Sequence, residues 1–183
     1  LIVREFGWGC DCLTEDMEFS MKCLSHGIRT CWVHDAIIYD EKPLTFMASW
    51  RQRKRWAQGQ FDCSERYIPI LMKEGFKRHS IVVLDGIMQL LQNYFLLISA
   101  FYLVMTYINM FYPCFTVVLY NDALVPRQFW SVLGTIQYVL PLIVLLQIEV
   151  PAKIYLYWLI YPVFMYSWVP VTFLGWIHRH EKQ

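Results

Sequence analysis

The sequence predicts an α/β segment, then interfacial amphipathic helices, then an α-helical membrane region. Composition is one ground: 57% of residues are hydrophobic and 17% charged, against roughly 45–50% and about 25% in soluble domains. Charge placement is another. Residues 1–80 hold 12 of the 16 Lys and Arg and 11 of the 15 Asp and Glu, whereas residues 81–183 hold four of each sign. Apolar runs beyond Ser80 also reach the roughly 20 residues that a bilayer-crossing helix needs. The boundary near Ser80 therefore reads as a change of solvent, from water and headgroups to lipid. The net charge of +1 says little about partners, and no nucleic-acid partner is expected.

The first residue is Leu1 rather than Met, and the chain is read as the C-terminal part of a longer protein. Phe6-Gly7-Trp8-Gly9 predicts a loop in which backbone passes close to a neighbour, or an ordinary turn around a core tryptophan. Thr14 suits an N-cap, and Glu15, Asp16 and Glu18 fall in a first turn, where the helix dipole favours negative charge. Met17, Met21 and Leu24 recur at helical spacing, and Gly27 is placed to end the helix. The acidic residues either complement the dipole or include a base, since an ionised Asp near a helix start can accept a proton.

Residues 28–39 predict one or two short strands: Thr30 to Val33 and Ile37 to Tyr39 favour a pleated surface. His34-Asp35 between them reads as a turn, with His34 structural. Asp40-Glu41-Lys42-Pro43 is a loop, because the residue before proline avoids the helical region. Two basic amphipathic helices follow, one from Thr45 through Phe61 and one over 64–78. In the second, Ile68, Leu71, Met72 and Phe76 form the apolar side. Anionic headgroups attract such helices at roughly 1 kcal/mol per Lys or Arg.

Within the first of these helices, Gln52, Arg55 and Trp56 share a face, being three and four residues apart. That face offers an amide, a planar fork of donors suited to phosphate, and an indole suited to a sugar ring or a base. It is a catalytic platform or a basic surface lying on a membrane. Some of Arg51, Arg53 and Lys54 would face headgroups.

Membrane spans are expected near 86–111, 130–148 and 154–176. Asn121-Asp122 and Pro126-Arg127 mark one loop; Glu149, Pro151 and Lys153 mark another. Pro141, Pro162 and Pro170 are tolerated where neighbouring helices satisfy the freed carbonyls. Asp85, Gln89, Gln92 and Asn93 suit a surface or polar cavity better than lipid. Three spans would put the basic tail from His178 to Lys182 outside, against the positive-inside tendency. The aromatics of the last span belong to an interfacial belt near its ends and to helix packing or a sugar path near its middle. The six cysteines, at 10, 12, 23, 31, 63 and 114, lack zinc spacing and are expected to be reduced thiols. No metal site is expected in this chain.

The order of the motifs narrows the function. Leu13-Thr14-Glu15-Asp16, then Tyr39-Asp40-Glu41-Lys42-Pro43, then Gln52-Arg53-Lys54-Arg55-Trp56-Ala57-Gln58-Gly59, then membrane segments, resembles the C-terminal half of membrane-bound family 2 glycosyltransferases. These include poly-N-acetylglucosamine, chitin, cellulose and hyaluronan synthases. One departure is that the first Gly of the family's Gly-Gly-aromatic element is Phe6 here.

The resemblance implies a GT-A-type fold whose C-terminal part occupies 1–44, with QxxRW interfacial helices over 45–80, about three spans over 81–177 and a basic tail over 178–183. It implies Asp16 as the base that deprotonates the acceptor, with Glu15 and Thr14 shaping the same site. Gln52 and Arg55 would contact the donor diphosphate, and Trp56 would stack under the acceptor sugar. Glu41 and Arg53 would support them. Mg2+ or Mn2+ would be bound by residues upstream of this chain, which alone would be inactive. The implied donor is UDP-GlcNAc or UDP-Glc, and the implied acceptor is a polysaccharide or glycolipid. An accessory subunit is compatible with this reading. The implied location is the plasma membrane with the catalytic part in the cytoplasm. The competing readings are a single-addition transferase acting on a lipid acceptor and a non-enzymatic membrane anchor or transport subunit.

Overall fold

The computed structural model describes residues 4–5, 7–31, 33–78, 80–112 and 127–181. Expectations placed on Phe6, Trp32, Cys114, Asn121, Asp122, Pro126 and Lys182, and on the Phe76 side chain, lie outside the described residues. The described residues include, in chain order, the helices α1 Glu15–Ser25, α2 Phe46–Arg78, α3 Ile81–Phe111, α4 Arg127–Leu145, α5 Lys153–Tyr166 and α6 Trp168–Ile177.

Helix α1 forms where the acidic first turn and the Met17, Met21 and Leu24 spacing place it. Thr14 stands at the N-cap position, but its hydroxyl makes no cap bond. The C-terminus closes as expected. Gly27 takes φ +80°, its N–H donates to the Leu24 carbonyl, and the Ile28 N–H donates to the Cys23 carbonyl, both at 2.9 Å. This paired arrangement satisfies two carbonyls at the helix end.

Among the described residues there is no strand, so the strands expected over 28–39 are not seen there; the described residues of 28–44 are irregular and mostly exposed, with a turn at His34-Asp35. Strand propensity is a preference for a pleated, half-buried surface. No described stretch offers such a surface or an edge for pairing. The α/β expectation is therefore met by helices alone among these residues.

The two expected amphipathic helices are one helix of 33 residues, about 50 Å long at 1.5 Å per residue. Local bonds carry it through the expected break. Arg66 grips Asp62 one turn earlier at 3.0 and 2.9 Å, and the Ser64 hydroxyl donates to the Phe61 carbonyl at 2.8 Å.

Two compact units emerge: residues 1–97 with 169–183, and residues 98–168. In the first, Cys12, Met21, Cys63, Leu71, Val83 and Leu90 form the core, with Met17, Leu24, Tyr67, Ile68 and Ile87 packed around it. The early turns of α3 run back along α2. Gln60 donates to the Gln89 carbonyl at 2.9 Å, and Phe61 meets Tyr94 edge-on at 4.9 Å. This placement accounts for the polar start of α3: Gln89 bonds Asp85 at 3.3 Å and Asn93 is buried.

In the second unit, α4 and α5 pack through Tyr138 and Trp158. The rings stack at 4.3 Å, and the Trp158 indole N–H donates to the Tyr138 carbonyl at 3.1 Å. These two mid-helix aromatics are packing residues. Among the described residues, two helical stretches, Ile81–Asn109 and Lys153–Ile177, are long and apolar enough to cross a membrane; Val132–Leu145 is apolar but shorter.

Candidate functional site

The site begins where α1 meets α2. Thr14 rests on Gly59: a Cβ at Gly59 would lie 2.7 Å from both the Thr14 nitrogen and its hydroxyl oxygen. Only a glycine admits so close an approach. The motif at 14–16 and the one at 52–59 are thus joined in space. Thr14 is buried, and its hydroxyl has no hydrogen-bond partner among the described residues; it serves as a packing surface rather than a cap.

A carboxylate that the sequence reading left in a generic first turn holds this junction. Glu18 is 3% exposed and accepts the backbone N–H groups of Asp11 and Cys12, each at 2.7 Å. Arg66 on α2 lies 3.7 Å from Glu18 while holding Asp62. A buried carboxylate needs such partners. Its position three residues from Glu15, between Met17 and Met21 on the apolar side, was the available signal.

Neighbouring groups feel this burial. The Cys12 thiol is pushed up by its hydrogen bond with the Cys63 thiol and by burial. Burial, with Glu18 close by, pushes the Tyr67 hydroxyl up to about 12. Trp8 stacks on Phe19 of α1 at 4.8 Å, and Lys22 donates to the Gly7 and Trp8 carbonyls at 3.3 Å. The loop before α1 is therefore fastened to that helix.

An open cleft of about 780 Å³ lies beside this junction. Its wall combines Leu13, the loop Glu41 to Thr45, and Ala48, Arg51, Gln52, Lys54, Arg55 and Gln58 of α2. Ala48, Gln52, Arg55 and Gln58 recur at three- and four-residue steps, so they share one helix face. Among the lining residues, Lys42, Arg51, Lys54 and Arg55 are cations and Glu41 is a carboxylate. Lys42 is paired with Asp40 at 2.8 Å, so Arg51, Lys54 and Arg55 against Glu41 leave the concave surface net positive.

Four of the residues singled out from sequence fall elsewhere. Glu15 and Asp16 are exposed at the start of α1, with the Asp16 carboxylate accepting the Met17 N–H at 2.7 Å. Trp56 is 41% exposed and does not line the cleft. Arg53 is buried, with its guanidinium 5.7 Å from the Phe46 ring centre and its Nε donating to the Ser49 carbonyl at 3.4 Å. Burial lowers its pKa. Arg53 therefore supports α2 from within. Arg51 and Lys54, read as headgroup candidates, line the cleft. Gln58 was missed, although its step of three from Arg55 placed it on the same face.

No group of three His, Cys, Asp or Glu side chains able to hold a metal occurs among the described residues, and the cleft offers one carboxylate. These residues do not fit a divalent-metal site.

Comparison with known proteins agrees with the motif order. The family model described as "Glycosyl transferase family group 2" matches residues 2–174. The chain is also similar to the "Probable glycosyltransferase YdaM" of Bacillus subtilis (strain 168), 34% identical over 59 residues. That match covers 32% of this chain and 14% of the relative, so the chain spans a small part of the relative's length. No solved structure matches. With nearly its whole length matched by the family model, the chain belongs to glycosyl transferase family group 2.

Proposed function

We propose that this chain carries the acceptor side and the diphosphate side of a membrane glycosyltransferase that uses a UDP-sugar and inverts the transferred centre. The observation that carries the reading is the cationic cleft, whose wall brings together Glu41 to Pro43 with Gln52 and Arg55, next to Leu13 of the motif at 13–16. Arg suits a diphosphate because its fork is fixed and always charged. In the proposed step the acceptor hydroxyl attacks the sugar's anomeric carbon and gives its proton to Asp16. The anomeric carbon–oxygen bond breaks, and its electron pair leaves with the UDP phosphate, whose charge Arg55 and Gln52 stabilise. Glu15 and Thr14 shape the acceptor side, Glu41 orders the loop before α2, and exposed Trp56 offers a stacking face for an acceptor sugar.

Family membership is compatible with Mg2+ or Mn2+, which residues outside this chain would hold. The proposed organisation is a catalytic part over 1–44, QxxRW-bearing interfacial sequence over 45–80, membrane helices over 81–177 and a tail over 178–183. The two helices of crossing length support residence in a membrane. We place the protein in the plasma membrane with the cleft on the cytoplasmic side. The product is a growing polysaccharide, with UDP-GlcNAc preferred over UDP-Glc as donor. Membranes carrying the whole protein, supplied with each radiolabelled UDP-sugar, should yield a labelled ladder or polymer. A single glycolipid spot would convert the reading to single addition, and no transfer from either donor would refute it.

A further inference from the structure

The end of the last apolar helix is fastened to the motif helix. Gly175 of α6 lies on α2: a Cβ there would come 2.5 Å from the Ala57 Cβ and 3.1 Å from the Gln58 nitrogen. The helices touch at a spot where no larger residue fits without movement. The Gln58 carboxamide donates to the His178 carbonyl at 2.8 Å. Arg179 donates to Glu65 at 2.6 Å, and His180 lies 3.9 Å from the other Glu65 oxygen. The Arg179 side chain is braced on its own helix, through a 2.9 Å bond to the Trp176 carbonyl and a position 5.4 Å from the Trp176 ring centre. A cation there also complements the negative end of the α6 dipole.

Gln58 is where this fastening reaches the cleft. It is buried, it lines the cleft, and its amide is held by the α6 terminus. Rotation or sliding of α6 against α2 would break that bond and change the cleft wall. Ala57 and Gln58 directly follow Arg55 and Trp56, so the same movement would shift the Arg55 fork.

We propose that the C-terminal end of the last apolar helix is a positioning element of the cleft. Gly175, the His178 carbonyl and the Arg179–Glu65 pair fix Gln58, and with it the face of α2 that presents Gln52 and Arg55 to a donor diphosphate. This rests on the glycosyltransferase reading above. It also places residues 178–181 on the same side of the membrane as α2.

The test uses the whole protein in membranes, with Glu65→Arg, Arg179→Glu and the two combined, and with UDP-GlcNAc and UDP-glucose as probes. Each single reversal should raise the donor KM about fivefold, and the double reversal should return it to within about twofold of wild type, as expected for a partly exposed ion pair. An unchanged KM with maximal rate reduced only in proportion to folded protein would overturn the positioning role. So would failure of the double reversal to recover. If the wild type uses neither donor, the glycosyltransferase reading fails separately. The fastening is then judged by thermal melting: recovery of the single variants' losses in the double variant supports it, and no recovery overturns it. A C-terminal tag reached from the side opposite α2 would overturn it in either case.

Discussion

In the unit of residues 1–97 and 169–183, Phe61, Cys63, Leu71, Leu90 and Val171 are fully buried, whereas no described residue of 98–168 is buried. The first unit has its own apolar core, and Glu18 and Arg66 tie α1 to α2 across it. The second leaves Phe101, Leu103, Ile136, Leu140, Leu156 and Ile160 exposed. Apolar surface on that scale is rare on soluble monomers, and the proposed membrane location would cover it with lipid. Precision at the cleft thus belongs to a unit folded on internal contacts, while the second unit leaves its apolar faces uncovered by the described residues.

Breaking the internal contacts should have the largest effects. Glu18→Ala removes the acceptor of two backbone N–H groups and leaves Arg66 without one of its two carboxylates. The expected loss is about 3 kcal/mol, at the low end for a broken buried pair because Arg66 reaches solvent; chemical denaturation of the first unit would measure it. Gly59→Ala forces a methyl group against Thr14 and should cost about 1–3 kcal/mol, while also lowering activity by separating the two motifs. Trp158→Ala in the second unit should cost only about 1 kcal/mol, the scale of an aromatic pair, because lipid solvates the exposed faces equally well. An equal or larger loss than at Glu18 would erase the distinction between the units.

The smallest effect is one of pH. The Tyr67 hydroxyl ordinarily titrates at 10.0 and is pushed up to about 12 in the fold. The folded state therefore holds its proton more tightly than the unfolded state does. Its contribution is fully present below pH 10 and is lost as pH rises through 12. Melting temperature should fall across that window, and Tyr67→Phe should flatten the fall.

Much of this was legible in the sequence, for local reasons. The ends of α1 follow from an acidic turn and Gly27. Gln52 and Arg55 share a face because helical geometry puts them there. The motif order pointed to the family that the comparisons then showed. What sequence could not show was long-range. Glu18 resembled any other acidic residue of a first turn until the fold buried it under Arg66. Gly59 was only the last residue of a motif run until Thr14 was found against it. The strand signal at 28–39 misled because propensity names a surface that must be supplied by a neighbour. Arg53 sat in a run of cations, and only packing separates the buried one from those at the cleft.

In the proposed reaction Asp16 takes the acceptor's proton while the cleft of α2 holds the donor. Asp16→Asn, measured in membranes carrying the whole protein, tests it most directly. Donor binding should stay at the wild-type level while transfer falls by at least about 100-fold, the lower range for loss of a general base. Wild-type turnover in that variant would contradict the claim.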